Sequence, residues 1–261
     1  MIEHSTQPAD FRDFSQSRVL YLPADATASS VAALLARVVD THPMLTASLV
    51  PTDDGWTLTA GADVNIAAAV GARRSGSAVG TDGFTADLHT AFADASARLD
   101  PNTGALVAAE LVVDPAGAGR LVLVIHHLGV DAVSWPILLE DLVTAWGQAQ
   151  SGDIGLALRP EVTSARTWAD AVAAQAERRM SEEGYWLDRL PARATDLGAE
   201  VVAGRDRFAT EVSVTEILDP STSEAVLTSV PHAFGGGAGD VLLGALARAV
   251  RGWQHARGID D

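Results

Sequence analysis

Leu121-Val122-Leu123-Val124-Ile125 is an unbroken aliphatic run that ends on two adjacent histidines, His126 and His127. A strand of that composition is apolar on both faces, so it belongs in the middle of a sheet rather than at an edge. Side chains alternate along a strand. Leu121, Leu123, Ile125 and His127 therefore share one face, and Val122, Val124 and His126 the other. Asp131 follows four residues after His127, and an amphipathic helix follows that, carrying Trp135, Leu138, Leu139, Leu142, Val143 and Trp146 at helical spacing. Pro136 is tolerated only in the first turn, which fixes the helix start between Ala132 and Trp135.

This arrangement puts an imidazole at a strand end beside a helix N-terminus. The two histidines point to opposite faces and cannot act on one substrate while the strand stays regular. The same parity weakens a zinc site built from His126, His127 and Asp131. One histidine should be buried and structural, the other should face a cavity, where a neutral imidazole is a competent general base. Asp131 can orient the loop, cap the helix or hold an imidazole tautomer. Ser134 sits at the helix start without a G-x-S-x-G turn, so it reads as a cap rather than a nucleophile. Trp135, Trp146, Trp168 and Trp186 read as core. The glycine-rich stretch 235–239 has neither a dinucleotide fingerprint nor a phosphate-loop lysine, and reads as a flexible connector.

The rest of the chain supplies elements to surround that strand. Residues 18–23 predict a strand. A helix from Thr27 carries an apolar stripe of Val31, Leu34, Leu35, Val38 and Val39. Residues 45–60 predict a hairpin, 71–86 a loop, 87–99 a helix and 106–113 a strand. Beyond the central helix come a linker at 151–163, helices around Trp168 and around Tyr185-Trp186-Leu187, and a strand near 209–217. A short helix near 221–229 and a last helix from Asp240 follow. The pattern is α+β, a mainly antiparallel mixed sheet flanked by helices. A net charge of −16 argues against nucleic acid, which needs a basic face. The absence of cysteine removes disulfides, a thiolate nucleophile and cysteine-ligated metal. With no signal segment and no apolar run near the ~20 residues that span a bilayer, the expectation is a cytoplasmic protein without a membrane partner.

HHLGVDAVSWPILLEDL resembles the histidine motif, HHxxxDG, of the condensation-domain superfamily of nonribosomal peptide synthetases. The trailing VSW and ILLEDL are the form typical of its epimerization domains. MIEHSTQPADFRDFSQSRVLYLP, LLARVVDTHPMLTASL, TWADAVAAQA, EEGYWLDRLP and VPHAFGGGAGDVLLGALARAV are similar to family segments in family order, so the resemblance covers nearly the whole chain. It implies a chloramphenicol-acetyltransferase-like lobe at 1–190, followed by a linker and the incomplete start of a second lobe at 191–261. It implies His127 as the catalytic residue, with His126, Asp131, Ser134 and Trp135 supporting the site, no metal and no directly bound cofactor. The substrate would arrive on the phosphopantetheine arm of a peptidyl carrier (thiolation) domain. Other partners would be the C-terminal lobe and neighbouring synthetase domains of an antibiotic-type secondary metabolism.

The implied activity is epimerization of a carrier-bound aminoacyl or peptidyl thioester from L to D, by removal and return of the α-proton. Two alternatives stand beside this isomerase reading: condensation, which forms an amide bond, and a degenerate module that only docks a carrier protein. Four departures from the family pattern bear on that choice. Ala132 replaces the motif glycine, and Pro136 stands where epimerization domains usually have arginine. Thr46 takes the place of the arginine that pairs with the motif aspartate, leaving Asp131 to find another partner. The stretch 235–239 replaces a polar segment. With the second lobe expected beyond Asp261, the isolated chain is expected to be inactive.

Overall fold

In the computed structural model, which describes residues 14–23, 25–53, 55–153, 157–190, 202, 204–206 and 210–259, the aliphatic run forms the centre of a sheet. The strands among the described residues are β1 (Ser15–Leu22), β2 (Ser48–Thr52), β3 (Gly55–Thr59), β4 (Val70–Arg74), β5 (Val107–Val113) and β6 (Gly119–His126). Four of them form one sheet in the order β1-β6-β5-β4, while β2 and β3 form a separate hairpin. The β1–β6 and β6–β5 pairs are antiparallel and β5–β4 is parallel, so the sheet is mixed and mainly antiparallel. The inner place of β6 follows from its composition, because every residue from Leu121 to Ile125 is buried.

Strand alternation divides the core in two. Leu121, Leu123 and Ile125 pack with Val31, Leu34, Leu35 and Val38 of helix α1 (Ala28–Thr41) and with Trp135 and Leu138. Val122 and Val124 pack instead with Phe84, Ala91, Ala95 and Leu99, of which the first three lie on α2 (Asp82–Ser96). The stripe expected on α1 is the set it buries, and Thr27 caps it through a reciprocal bond with Ser30. Helix α3 (Ser134–Ser151) starts inside the window set by Pro136. It is tied to α1 by a 2.6 Å bond between His42 and Asp141 and by Arg37, which donates to the Ala145 carbonyl at 3.2 Å.

Several expectations fail, each for an identifiable reason. Residues 71–86 are not a loop. Val70–Arg74 is strand β4, paired in parallel with β5, and α2 is the crossover that a parallel pair requires. The glycine and arginines there read as loop composition, but Gly71 and Arg73 serve a buried carboxylate. Glu110 bonds Arg98 at 2.8 Å and lies 3.5 Å from Arg73, and a Cβ on Gly71 would overlap its side chain. Trp168 and Trp186 are exposed, not core. They lie on α4 (Ala165–Ala173) and on α6 (Glu183–Leu187), which follows the short α5 (Ala176–Arg179), and none of these helices buries a residue. The strand near 209–217 is absent among the described residues: 211–217 is exposed chain without regular structure, and residue 209 lies outside the described set.

Within the stretch 235–239, residues 235–237 turn the chain between two helices and 238–239 already belong to the second. Gly235 closes α8 (Ser229–Phe234), which follows α7 (Pro220–Leu227), with a left-handed φ of 65°. Gly237 then opens α9 (Ala238–His255), and its N–H donates to Asp240 at 2.8 Å. The last helix therefore begins two residues before Asp240. The chain forms two compact units, Met1–Ala174 and Gln175–Asp261. All the motif residues lie in the first. Among the described residues, no single helix is long and apolar enough to cross a membrane.

Candidate active site

The two histidines part company where β6 ends. His126 is 1% exposed. Its Nδ1 accepts the Leu128 N–H at 3.1 Å, which places its own ring proton on Nε2 and makes the ring a local cap for the turn that follows. The His127 N–H donates to the Phe14 carbonyl at 2.8 Å, extending the β1–β6 ladder one step past the strand. Alternation thus continues through the motif, and the His127 ring falls on the α1–α3 face, only partly buried. Gly129 brings the loop against the 43–46 turn. A Cβ there would lie 2.9 Å from the Met44 carbonyl, so the approach requires glycine.

Asp131 acts on the helix rather than on either imidazole. Its Oδ1 accepts the Ser134 hydroxyl at 2.6 Å, the Ser134 N–H at 2.8 Å and the Val133 N–H at 3.0 Å. The two N–H groups are donors that a helix N-terminus leaves unpaired. The Ser134 hydroxyl first, then the two N–H groups and the nearby His127, hold the Asp131 carboxyl below the usual carboxylate range. Ser134 is therefore the partner that Asp131 finds with threonine at position 46. Thr46 is buried, and its hydroxyl donates to the Pro43 carbonyl at 3.3 Å. Ala132 is exposed, and no described residue other than glycine has a positive φ, so the methyl group at this position brings no backbone strain.

A folded-state carboxyl held low binds its proton less readily than the unfolded chain does. Its contribution is complete above about pH 4, the ordinary Asp value, and is lost as pH falls through the lower folded value. The melting-temperature difference between wild type and Asp131→Asn should therefore be largest at neutral pH and shrink below about pH 4. A pH-independent difference would show that the carboxylate charge is not what holds the start of α3.

Trp135 is 2% exposed and lies beneath the loop. Its indole N–H donates to Gln16 Oε1 at 2.6 Å, and the Arg18 guanidinium stands over its ring, 4.6 Å from the centroid. The Gln16 amide nitrogen lies 3.0 Å from His127 Nε2. Phe14 stacks on the imidazole with 4.6 Å between centroids and 9° between planes. Gln16 and Phe14 are the residues that sequence reasoning missed. Starting β1 at residue 18 left them outside the strand, yet period two carried back from Leu22, Leu20 and Arg18 puts Gln16 on the motif's face. A cleft beside the loop is lined by His42, Met44, Gly129, Ser134 and Asp141, and His127 is not part of its lining.

Chemically, the site offers a half-buried imidazole of fixed orientation, a helix N-terminus already neutralised by Asp131, and no second acid or base bonded to the imidazole among the described residues. It can accept or donate one proton.

Comparison with known proteins gives this geometry a context. The model of the condensation-domain family matches residues 82–257. A linear gramicidin synthase of Brevibacillus parabrevis is 38% identical over 144 residues, which is 54% of this chain and 3% of that protein. Among solved structures, the epimerization domain from the third module of tyrocidine synthetase B superposes with a TM-score of 0.75 at 24% identity, covering 94% of this chain and 56% of that one. A condensation domain of the enacyloxin polyketide synthase, described for chain release, matches with a TM-score of 0.51 at 25% identity, covering 72% of this chain and 37% of that one. The chain thus spans a small fraction of its curated relatives and about half of the solved domain it fits best of these two. The fold is the chloramphenicol-acetyltransferase-like α+β architecture of such domains, and the chain belongs to the condensation-domain family.

Proposed function

We propose that this chain is the N-terminal part of a nonribosomal peptide synthetase epimerization domain, with residues 1–190 as its first lobe and 191–261 leading into the second. The parent enzyme converts an L- to a D-residue in a carrier-bound aminoacyl or peptidyl thioester. His127 removes or returns the α-proton, while His126, Asp131, Ser134 and Trp135 hold the loop. The substrate arrives on the phosphopantetheine arm of a peptidyl carrier domain, and the assembly works in the cytoplasm beside neighbouring synthetase domains. The observation that carries this reading is the division of labour at the end of β6: one histidine is sealed beneath the sheet, the other is a fixed, accessible imidazole. The VSW and ILLEDL segments after Asp131 and the more extensive fold match to an epimerization domain favour racemising chemistry over amide formation.

A second reading, condensation, in which the same lobe aids attack of an amine on the thioester, also fits the family match and the fold of the enacyloxin synthase domain. One assay on the parent enzyme separates the two. An aminoacyl-carrier substrate in deuterated water should incorporate deuterium at Cα and yield D-residue without any acceptor amine. Peptide bond formation with no Cα exchange would replace epimerization by condensation. Inverting a stereocentre calls for proton return on the opposite face, so the 261-residue chain alone should form no D-residue.

A further inference from the structure

We propose that Gln16, pinned by Trp135, is a positioning residue that sets the tautomer of His127, with the ring proton on Nδ1 and the lone pair on Nε2. An amide side chain has one accepting and one donating end, while an indole N–H only donates. The 2.6 Å contact between Trp135 Nε1 and Gln16 Oε1 therefore fixes which way round the amide lies. Its NH2 group then faces His127 Nε2 at 3.0 Å. An NH2 group cannot accept, so Nε2 accepts, and the neutral ring carries its proton on Nδ1. Turning the amide over would set its NH2 against the indole N–H, losing the bond to Trp135 as well. Any Nε2–H, in either charge state, would meet the amide donor head on.

The surrounding elements make this arrangement stiff. Gln16 is on β1 in register with the end of β6, where Ser15 pairs with His126. Trp135 is locked in the core at the start of α3, and Phe14 holds the imidazole plane by parallel stacking. A histidine in a flexible peptide favours the Nε2–H tautomer, so the structure imposes the minority form. The assignment rests on the reading of His127 as the proton-transferring group, and it says which nitrogen is the base. Nε2 holds a ready lone pair that the Gln16 amide must yield when a substrate proton approaches.

The test is a two-bond proton–nitrogen correlation spectrum of the 261-residue chain, uniformly labelled with nitrogen-15, at a pH where its imidazoles are neutral. A His127→Asn variant identifies the His127 signals. Wild type should show the Nδ1–H pattern. Glu at position 16 accepts from both the indole and an Nε2–H, so Gln16→Glu should move the proton-bearing nitrogen from Nδ1 to Nε2. A wild-type Nε2–H pattern, or an unchanged pattern in Gln16→Glu, overturns the proposal. Should Gln16→Glu fail to fold, the wild-type spectrum decides alone. Because no substrate enters the measurement, its outcome is independent of whether the parent enzyme epimerises or condenses.

Discussion

His127→Ala in the parent synthetase should lower D-residue formation by about 100- to 10,000-fold, the range that a single positioned general acid–base group contributes. The structure argues that this loss comes from chemistry rather than folding. The His127 ring is only partly buried, and its backbone N–H, which bonds the Phe14 carbonyl, survives the substitution. The melting temperature should therefore move little. Chiral analysis of the carrier-bound product, alongside thermal unfolding of the variant, checks both halves. D-residue formation unchanged beside an unchanged melting temperature would leave the domain as a docking module, the third reading that the altered motif suggests.

Trp135→Ala carries the largest expected cost in stability, about 3–5 kcal/mol for truncating a buried tryptophan. The side chain fills the core between β1 and the start of α3, shields Gln16 and packs under Arg18. Removing it leaves a cavity and also an unpaired amide oxygen. Urea unfolding followed by circular dichroism should show the midpoint falling sharply, in part through that second effect. Trp135→Phe separates the two contributions. It keeps most of the packing and should cost about 1 kcal/mol, the net worth of the hydrogen bond lost to the half-buried Gln16 amide. A loss below about 1 kcal/mol for Trp135→Ala would mean that α3 is anchored elsewhere, with His42–Asp141 the next candidate.

Both results depend on features of very different legibility. The centre of the sheet, the stripe of α1, the start of α3 and the opposed histidines follow from periodicity, because each is a property of residues close together in the chain. The family resemblance was legible for the same reason, being carried by contiguous motifs. Strand β4 was not legible. Its Gly71 and Arg73 make sense only against Glu110 on a neighbouring strand, and a parallel pair has no local signal. Trp168 and Trp186 mislead in the reverse direction, since an aromatic residue announces burial whether or not its own unit supplies a partner.

Sequence alone determined that His126 and His127 face apart, that Pro136 begins a helix and that Asp131 precedes it. Only the tertiary structure decided what those residues touch. It gave Asp131 to Ser134 and the helix N-terminus, with threonine at position 46. It brought Gln16 from more than a hundred residues away to stand between Trp135 and His127. Alternation within a strand is set by backbone geometry and can be counted off the sequence. Which strand lies alongside, and in what register, is set by burial across the whole sheet. The partner of an imidazole at a strand end belongs to that second kind of fact.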